Sequence, residues 1–194
     1  MANLGNIAAL FVDRRGPYYD MGLDCYDVER DARTFDFSKP AVMHPPCKRW
    51  SVLMYPLLEK GYRIGDDDGM FKFSLDVLRL CGGVIEHPAH SIAWDWFDLP
   101  KPARGGWQMD MFSEFASTEV DQGNYGHMAK KTTWLLMRKR DPLPALDWRA
   151  AGNVEYVVQA TRKTKVREMP KKMRHITPFL FAKTLADVAK MCLS

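Results

Sequence analysis

The sequence predicts an α/β domain with a Rossmann-like, mostly parallel sheet flanked by helices, and with a small irregular insertion rich in aromatic residues. Three observations predict it. Short apolar segments of strand length alternate with helical segments, each apolar segment runs into a polar turn, and the clearest helix pattern separates two of the strands. The 194 residues, 46% hydrophobic and 27% charged, suffice for one hydrophobic core, so we expect a single domain over residues 1–194.

The first half of the chain supplies the elements of the predicted parallel sheet. Apolar runs predict strands at residues 7–12, 25–28 and 40–43. Apolar residues at helical spacing predict helices at 50–60 and 70–81, which end at glycines. A further strand, residues 84–85, follows. Because ligands of open parallel sheets bind at the carboxyl ends of the strands, we expect the site there.

The second half of the sequence has a less regular pattern of apolar residues. Residues 94–130 are expected to be the aromatic-rich insertion, part of it a short antiparallel ribbon. Residues 132–137 and 154–158 predict strands, with a loop at 143–151 between them and a polar loop at 163–174 after them. The last helix is expected to begin with Thr177 as its cap and Pro178 in its first turn.

Charge and composition narrow the function classes. The net charge is +4, the pI is about 8.8, and from residue 155 onward nine Lys and Arg face three acidic residues. This basic region suits a polyanionic partner, DNA or a nucleotide, with an ordinary solvated surface as the alternative. Neither an 18-residue apolar stretch nor a signal peptide is found, so we expect a cytoplasmic protein with free thiols and no membrane partner.

Cys47 is the candidate nucleophile, because it directly follows two prolines. Proline fixes its own backbone and restricts the residue before it, so the thiol is held in one orientation. Nearby His44, Lys48 and Arg49 are expected to lower the pKa of the thiol. The alternative is a buried structural cysteine.

Glu86 is the second candidate, since a carboxylate directly after an apolar strand needs partners. It suits the ring nitrogen and amino group of a flipped base, and the alternative is satisfaction by backbone amides or an arginine. The spacings His44-x-x-Cys47 and His87-x-x-His90 also allow a zinc site made of these four residues.

Two motifs carry a resemblance to a known family. Segment 45–51, Pro-Pro-Cys-Lys-Arg-Trp-Ser, is similar to the catalytic Pro-Cys motif of cytosine-5 DNA methyltransferases, and segment 85–88, Ile-Glu-His-Pro, resembles their Glu-Asn-Val motif. The His-Pro-Pro-Cys and Glu-His-Pro-Ala motifs, with Gly-His-Met-Ala-Lys-Lys-Thr-Thr-Trp-Leu at 126–135, resemble small phage and prophage proteins of uncertain function. The second resemblance implies a phage or prophage origin.

The resemblance implies roles for particular residues. Cys47 and Glu86 would be catalytic, and S-adenosylmethionine would be the cofactor, although the loop after the first strand has one glycine where that family has a Phe-x-Gly-x-Gly loop. Candidate substrate-binding residues are His44, Arg49, Ser51, His87, Trp94, His127 and Lys131. Candidate cofactor- or phosphate-binding residues are Asp13, Arg14, Arg15 and Glu29.

Three functions therefore stay open from the sequence. The first is a base-modifying enzyme in which Cys47 adds to a pyrimidine and Glu86 holds the base. The second is a catalytically degenerate methyltransferase-like module that binds DNA or a nucleotide, with a role against host defence left open. The third is the zinc protein.

Overall fold

The computed structural model describes residues 4–140, 142–152, 154–158 and 166–193. Seven strands form one sheet in the order β2-β1-β3-β4-β7-β6-β5. They are β1 (Ala8–Leu10), β2 (Asp24–Tyr26), β3 (Ala41–Met43), β4 (Gly83–Pro88), β5 (Gln108–Met109), β6 (Phe115–Asp121) and β7 (Thr132–Arg138). Two further short strands, β8 (Tyr156–Val157) and β9 (Arg167–Glu168), pair in parallel beside it. The α/β class is confirmed.

The sheet is mixed rather than uniformly parallel. Strands β1 to β4 are parallel to one another, whereas β7 is antiparallel to β4 and β6, and β5 is antiparallel to β6. Parallel strands end at the same edge, so β1, β3 and β4 all finish at one side, which we term the carboxyl edge. Strand β6 also ends there, and β7 begins there because it runs the opposite way.

Helices cover both faces of the sheet. The helices are α1 (Pro17–Asp20), α2 (Met70–Cys81), α3 (Ala93–Trp96) and α4 (Phe179–Lys190). Side chains alternate along each strand: Ala41 and Met43 share a buried cluster with α2, while Val42 packs in a second cluster with α4. Among the helices that the structure describes, none has both the length and the hydropathy needed to cross a bilayer.

Helix α2 has the predicted bounds, and its ends explain why. Asp67 Oδ2 accepts the backbone N–H of Phe71 at 2.9 Å and Trp50 Nε1–H at 2.8 Å, so one buried carboxylate joins the helix start to the Cys47 turn. The helix stops at Gly82, and Gly83 then begins β4 with φ of 116°. A Cβ on Gly83 would lie 2.0 Å from the carbonyl oxygen of Ala41, so only glycine fits between the two strands.

Four details differ from the sequence predictions. The helix expected at 50–60 is instead two 3₁₀ segments, Lys48–Trp50 and Val52–Lys60, because in an α-helix the ring of Pro56 would clash with the carbonyl of the residue four positions earlier. Part of the expected insertion, 94–130, is strand β6 of the main sheet, which pairs along its whole length with β7. Pro178 itself is the N-cap residue of α4, without a side-chain cap. The polar loop at 163–174 contains β9 and a 3₁₀ turn in its described part, and residues 163–165 lie outside the described residues.

Candidate functional site

The carboxyl edge gathers six of the predicted site residues from four separate segments. Asp13 follows β1, His44 and Cys47 follow β3, Glu86 and His87 lie on β4, and Lys131 directly precedes β7. In an open α/β sheet this edge is where ligands bind, at the point where the strand order reverses. Here the chain passes from β1 outward to β2 and then back across to β3, so the reversal lies between β1 and β3.

A chain of buried hydrogen bonds lies beneath the Cys47 turn. His44 Nδ1 is 2.8 Å from Glu86 Oε2, and His44 Nε2 is 2.7 Å from the hydroxyl of Tyr18. Glu86 is ionised at neutral pH, so Nδ1 carries the proton and donates to it. When His44 is neutral, its Nε2 therefore accepts the proton of Tyr18. Burial, and next the charge of Glu86, raise the pKa of Tyr18 well above its usual value.

The carboxylate of Glu86 is satisfied on both oxygens. Burial opposes its ionisation, but the hydrogen bond from His44, together with the charges of His44 and Lys131, lowers the pKa of Glu86 to about 2. Gln122 Nε2 donates to Oε1 at 3.0 Å and to the hydroxyl of Thr133 at 2.9 Å. In this structure Glu86 orients His44, and the expectation that it holds a substrate base stays a prediction.

Cys47 is exposed at the surface of this edge. Partial desolvation by the surrounding protein and the negative charge of Glu86 raise the pKa of the Cys47 thiol. The positive charge of Lys131 acts in the opposite direction but does not outweigh them. The expectation that His44, Lys48 and Arg49 lower this pKa is therefore wrong. Lys48 and Arg49 stand on the same turn and line a cavity that is described below.

Lys131 is half-buried where β7 begins, with a backbone φ of 42° that side chains rarely adopt. Its ammonium donates to the carbonyl oxygen of Ile176 at 3.3 Å. Burial lowers its pKa, against the opposing charges of Glu86, Cys47 and Asp13. The pKa of Lys131 is thus lowered while that of neighbouring Cys47 is raised, which brings the amine and the thiol closer in proton affinity.

His87 and Trp94 lie on the opposite face of the sheet from Glu86. His87 is buried, and its Nδ1 is 2.7 Å from the hydroxyl of Ser91. Burial lowers the pKa of His87 to about 4, although the charge of Glu86 and the nearby carbonyls of Pro46 and Pro45 favour its protonated form. Trp94 packs in the core against Phe71 and Trp134. Trp94 is therefore a core residue rather than a substrate-stacking one.

A cavity of about 730 Å³ opens beside Cys47, and we term it the basic cavity. Its cationic lining residues are Lys48, Arg49, Lys60, Lys171 and Arg174, and its ring-bearing lining residues are Trp50, Tyr62, His87, His90 and His175. Cys47, Ser51, Ser91, Pro88, Ala89 and apolar residues of the 3₁₀ segment complete the described wall, which contains no Asp or Glu. Ser51 also caps that segment, accepting the N–H of Leu53 at 3.2 Å. The lining chemistry favours an anionic ligand with an apolar body.

Other predicted residues stand apart from this cavity. His127 is buried, and its Nδ1 is 2.9 Å from the carbonyl oxygen of Ala129, which fixes the ring within the loop before β7. Arg14 and Glu29 form an exposed ion pair with each other. Arg15 is exposed in the same loop, with φ of 61°.

The four zinc candidates are not brought together. Both ring nitrogens of His44 are hydrogen-bonded, His87 Nδ1 faces Ser91, and the ring of His90 packs edge-on against Trp134. Across the part of the chain that the structure describes, no group of three or more His, Cys, Asp or Glu side chains is arranged to hold a metal ion.

The cleft after β1 and β2 is the place where the sequence predicts the cofactor, and S-adenosylmethionine stays a prediction. The cleft has a volume of about 280 Å³. Asp27, which lines this cleft, accepts the hydroxyl of Tyr19 at 2.6 Å and the N–H groups of Glu29 and Arg30.

Several site residues were missed from the sequence. Tyr18 and Gln122 complete the buried chain, and Tyr62, Lys171 and His175 complete the cavity. Tyr18 lies in α1, only three residues after the candidate Arg15, so its nearness to the predicted loop after β1 was a usable signal. Residues 171–175 line the cavity only because the chain folds back against residues 47–62, and no local sequence pattern reveals that long-range contact.

Comparison with known proteins gave no further guide. Neither a scan against models of protein families, nor a search of curated proteins, nor a search of solved structures found a match. The function must therefore be argued from the site itself.

Proposed function

We propose that this protein is a nucleic-acid or nucleotide base-modifying enzyme in which Cys47 is the nucleophile. One observation carries the proposal. The exposed thiol of Cys47 stands on a rigid Pro-Pro turn, at the carboxyl edge of the sheet, on the rim of a cavity with basic and aromatic lining. A flat base with an attached phosphate matches both parts of that lining.

The chemistry needs only groups at this edge. The Cys47 sulfur would bond to C6 of a pyrimidine, and the C5–C6 π electrons would move through C4 to O4 of a uracil, as an enolate, or to N3 of a cytosine. Lys131, in its neutral form, would take the thiol proton, a role consistent with the opposite directions of the two pKa shifts. Protonation at C5 and reversal would then exchange the C5 hydrogen with solvent. The same addition makes C5 reactive toward an electrophile, which is how a base would be modified.

The fold is compatible with this proposal. The parallel strands in the order β2-β1-β3-β4, with the reversal between β1 and β3, support a Rossmann-like assignment. A phage origin and a cytoplasmic location remain predictions from the sequence. The proposed role of Glu86 is to position His44 beneath the turn, because both carboxylate oxygens already have protein partners.

Hydrogen exchange at C5 tests this chemistry without any second substrate. The protein is incubated in D₂O with deoxycytidine or deoxyuridine monophosphate and with short oligonucleotides, and deuterium at C5 is measured by mass spectrometry. We expect exchange with the natural chain and none with Cys47→Ser. Cys81→Ser is the matched control, because its side chain only donates to the carbonyl of Phe37 and a serine keeps that bond. Exchange that survives in Cys47→Ser, or no exchange at all, would reject the enzyme.

A non-enzymatic module that binds a nucleotide or DNA is the second candidate. The raised pKa of Cys47 favours it, because the thiol stays protonated at neutral pH while the cavity keeps its basic lining. It predicts ligand binding that Cys47→Ala leaves unchanged, together with no C5 exchange. Loss of binding in a folded Cys47→Ala protein would count against it.

A further inference from the structure

We infer that Arg49 is the phosphate contact of the basic cavity, and that the ligand is a nucleoside phosphate whose base lies toward Cys47. This inference rests on the proposed function, since it names the substrate class of that same site. It adds an anchoring residue and a direction of approach, from the side of the Val52–Lys60 segment rather than from the cleft at β1 and β2.

The charge of the cavity is the first support. Five cationic side chains line it, and the described wall contributes no carboxylate. Of these, Arg174 is already neutralised by Glu168 and donates to the carbonyl oxygen of Met169. Like charges gathered in one cavity repel, so an anion bound among them gains from every remaining cation.

Arg49 is the best placed of these cations. It is two residues from Cys47 on the same turn, and its guanidinium stacks on the ring of Tyr62, with the central carbon 4.8 Å from the ring centre. Its Nη1 is buried without a hydrogen-bond partner. A planar guanidinium held in place and lacking an acceptor matches the paired oxygens of a phosphate.

The rest of the wall indicates what the phosphate is attached to. Val52, Leu53 and Leu57 give an apolar side, and the Tyr62 and His175 rings are flat surfaces on which a base can stack. The volume of about 730 Å³ is of the size that holds one or two nucleotides. A free nucleotide and a phosphodiester strand share this chemistry, so the experiment must separate them.

Binding measurements with three probes test the inference. Calorimetry with the full chain compares deoxycytidine, its 5′-monophosphate and a single-stranded deoxycytidine hexamer. We expect the nucleoside to bind at least 10-fold more weakly than a phosphorylated probe. Arg49→Gln should weaken the phosphorylated probes about 10- to 100-fold and leave the nucleoside unchanged. Arg63→Gln is the matched control, since Arg63 is exposed and outside the cavity wall.

The outcomes separate the possibilities. Preference for the monophosphate assigns a free nucleotide, and preference for the hexamer assigns a strand; both support the inference. Equal binding of nucleoside and monophosphate, no effect of Arg49→Gln, or an equal effect of Arg63→Gln would overturn it. If thermal unfolding shows that Arg49→Gln is not folded, the exposed Lys60 on the same wall provides the replacement variant, Lys60→Gln, with the same expected direction.

Failure of the inference and failure of the proposed function look different. Cys47-dependent C5 exchange without any dependence of binding on phosphate rejects the Arg49 assignment alone. Phosphate-dependent binding through Arg49 without C5 exchange keeps the site and rejects the chemistry.

Discussion

Replacing Glu86 by glutamine tests the centre of the buried network. Glu86 accepts hydrogen bonds from His44 and Gln122, one on each oxygen. In Glu86→Gln one of the two positions becomes an NH₂ group that faces another donor. The substitution therefore removes a charge and also leaves one buried donor without an acceptor, while the shape of the side chain is kept.

The magnitude follows from the pKa. Folding lowers the pKa of Glu86 from 4.5 to about 2, and a difference of one unit corresponds to about 1.36 kcal/mol, so ionised Glu86 contributes about 3 kcal/mol to the free energy of unfolding. Because the folded-state pKa is the lower one, this contribution is complete above pH 4.5 and is lost as the pH falls toward 2. Glu86→Gln should cost about 3 kcal/mol at pH 7, and the difference from the natural chain should shrink toward pH 2.

Urea denaturation at a series of pH values from 2 to 7 measures both quantities. Glu59→Gln is the control, since Glu59 is exposed, and it should leave the free energy of unfolding within about 0.5 kcal/mol of the natural value. Curves for Glu86→Gln and the natural chain that run parallel from pH 5 to pH 2 would refute the reasoning, because they would mean that the Glu86 carboxylate gains nothing on folding.

Three further predictions follow from single contacts. Iodoacetamide should label Cys47 first among the four cysteines, since Cys47 alone of them is exposed. Because the pKa of Cys47 is raised, the labelling rate should keep rising as the pH is increased above 7. The Cys47→Ala protein should lose the fast-labelling site. Trp50→Phe should lower the free energy of unfolding by about 3 kcal/mol in urea, because the buried carboxylate of Asp67 loses a donor; a loss below about 1 kcal/mol would contradict this. Gly83→Ala should cost about 4 kcal/mol or more, seen as loss of the cooperative unfolding transition, since its Cβ would meet the carbonyl of Ala41; a normal transition would show that the strands can separate.

The sequence predicted the parallel half of the fold well, because its signals are local. The strand segments before Cys47 and helix α2 have apolar patterns bounded by glycine, proline or charged residues, and α2 has the predicted bounds. Strand β6 was not predicted, because its apolar pattern is weak. Its strand conformation is stabilised by pairing with β7, which the local sequence does not reveal. The apolar periodicity also did not predict the 3₁₀ geometry around Pro56, because 3₁₀ and α-helical spacings differ little over nine residues.

The candidate site could be predicted in part for a similar reason. Turns at strand ends are visible in a sequence, so Cys47, Glu86 and Lys131 were found and do lie at one edge. Whether a carboxylate faces a ligand or a neighbouring side chain depends on distant partners. Gln122, which donates to Glu86, and Tyr18, which holds the other ring nitrogen of His44, come from elements far from Glu86 in the chain.

The alternation of side chains along β4 explains why the Glu-His-Pro motif and the Pro-Pro-Cys turn occur together. Adjacent residues of a strand point to opposite faces, so Glu86 and His87 reach the same turn from two sides. Glu86 fixes His44 at the start of the turn, and the His87 ring lies by the carbonyls of Pro45 and Pro46. The turn is thus held on both faces by consecutive residues of one strand. A structural cysteine would not require a turn fixed in this way, whereas a nucleophile aimed into a cavity would, and this favours a chemical role for Cys47 over a packing role.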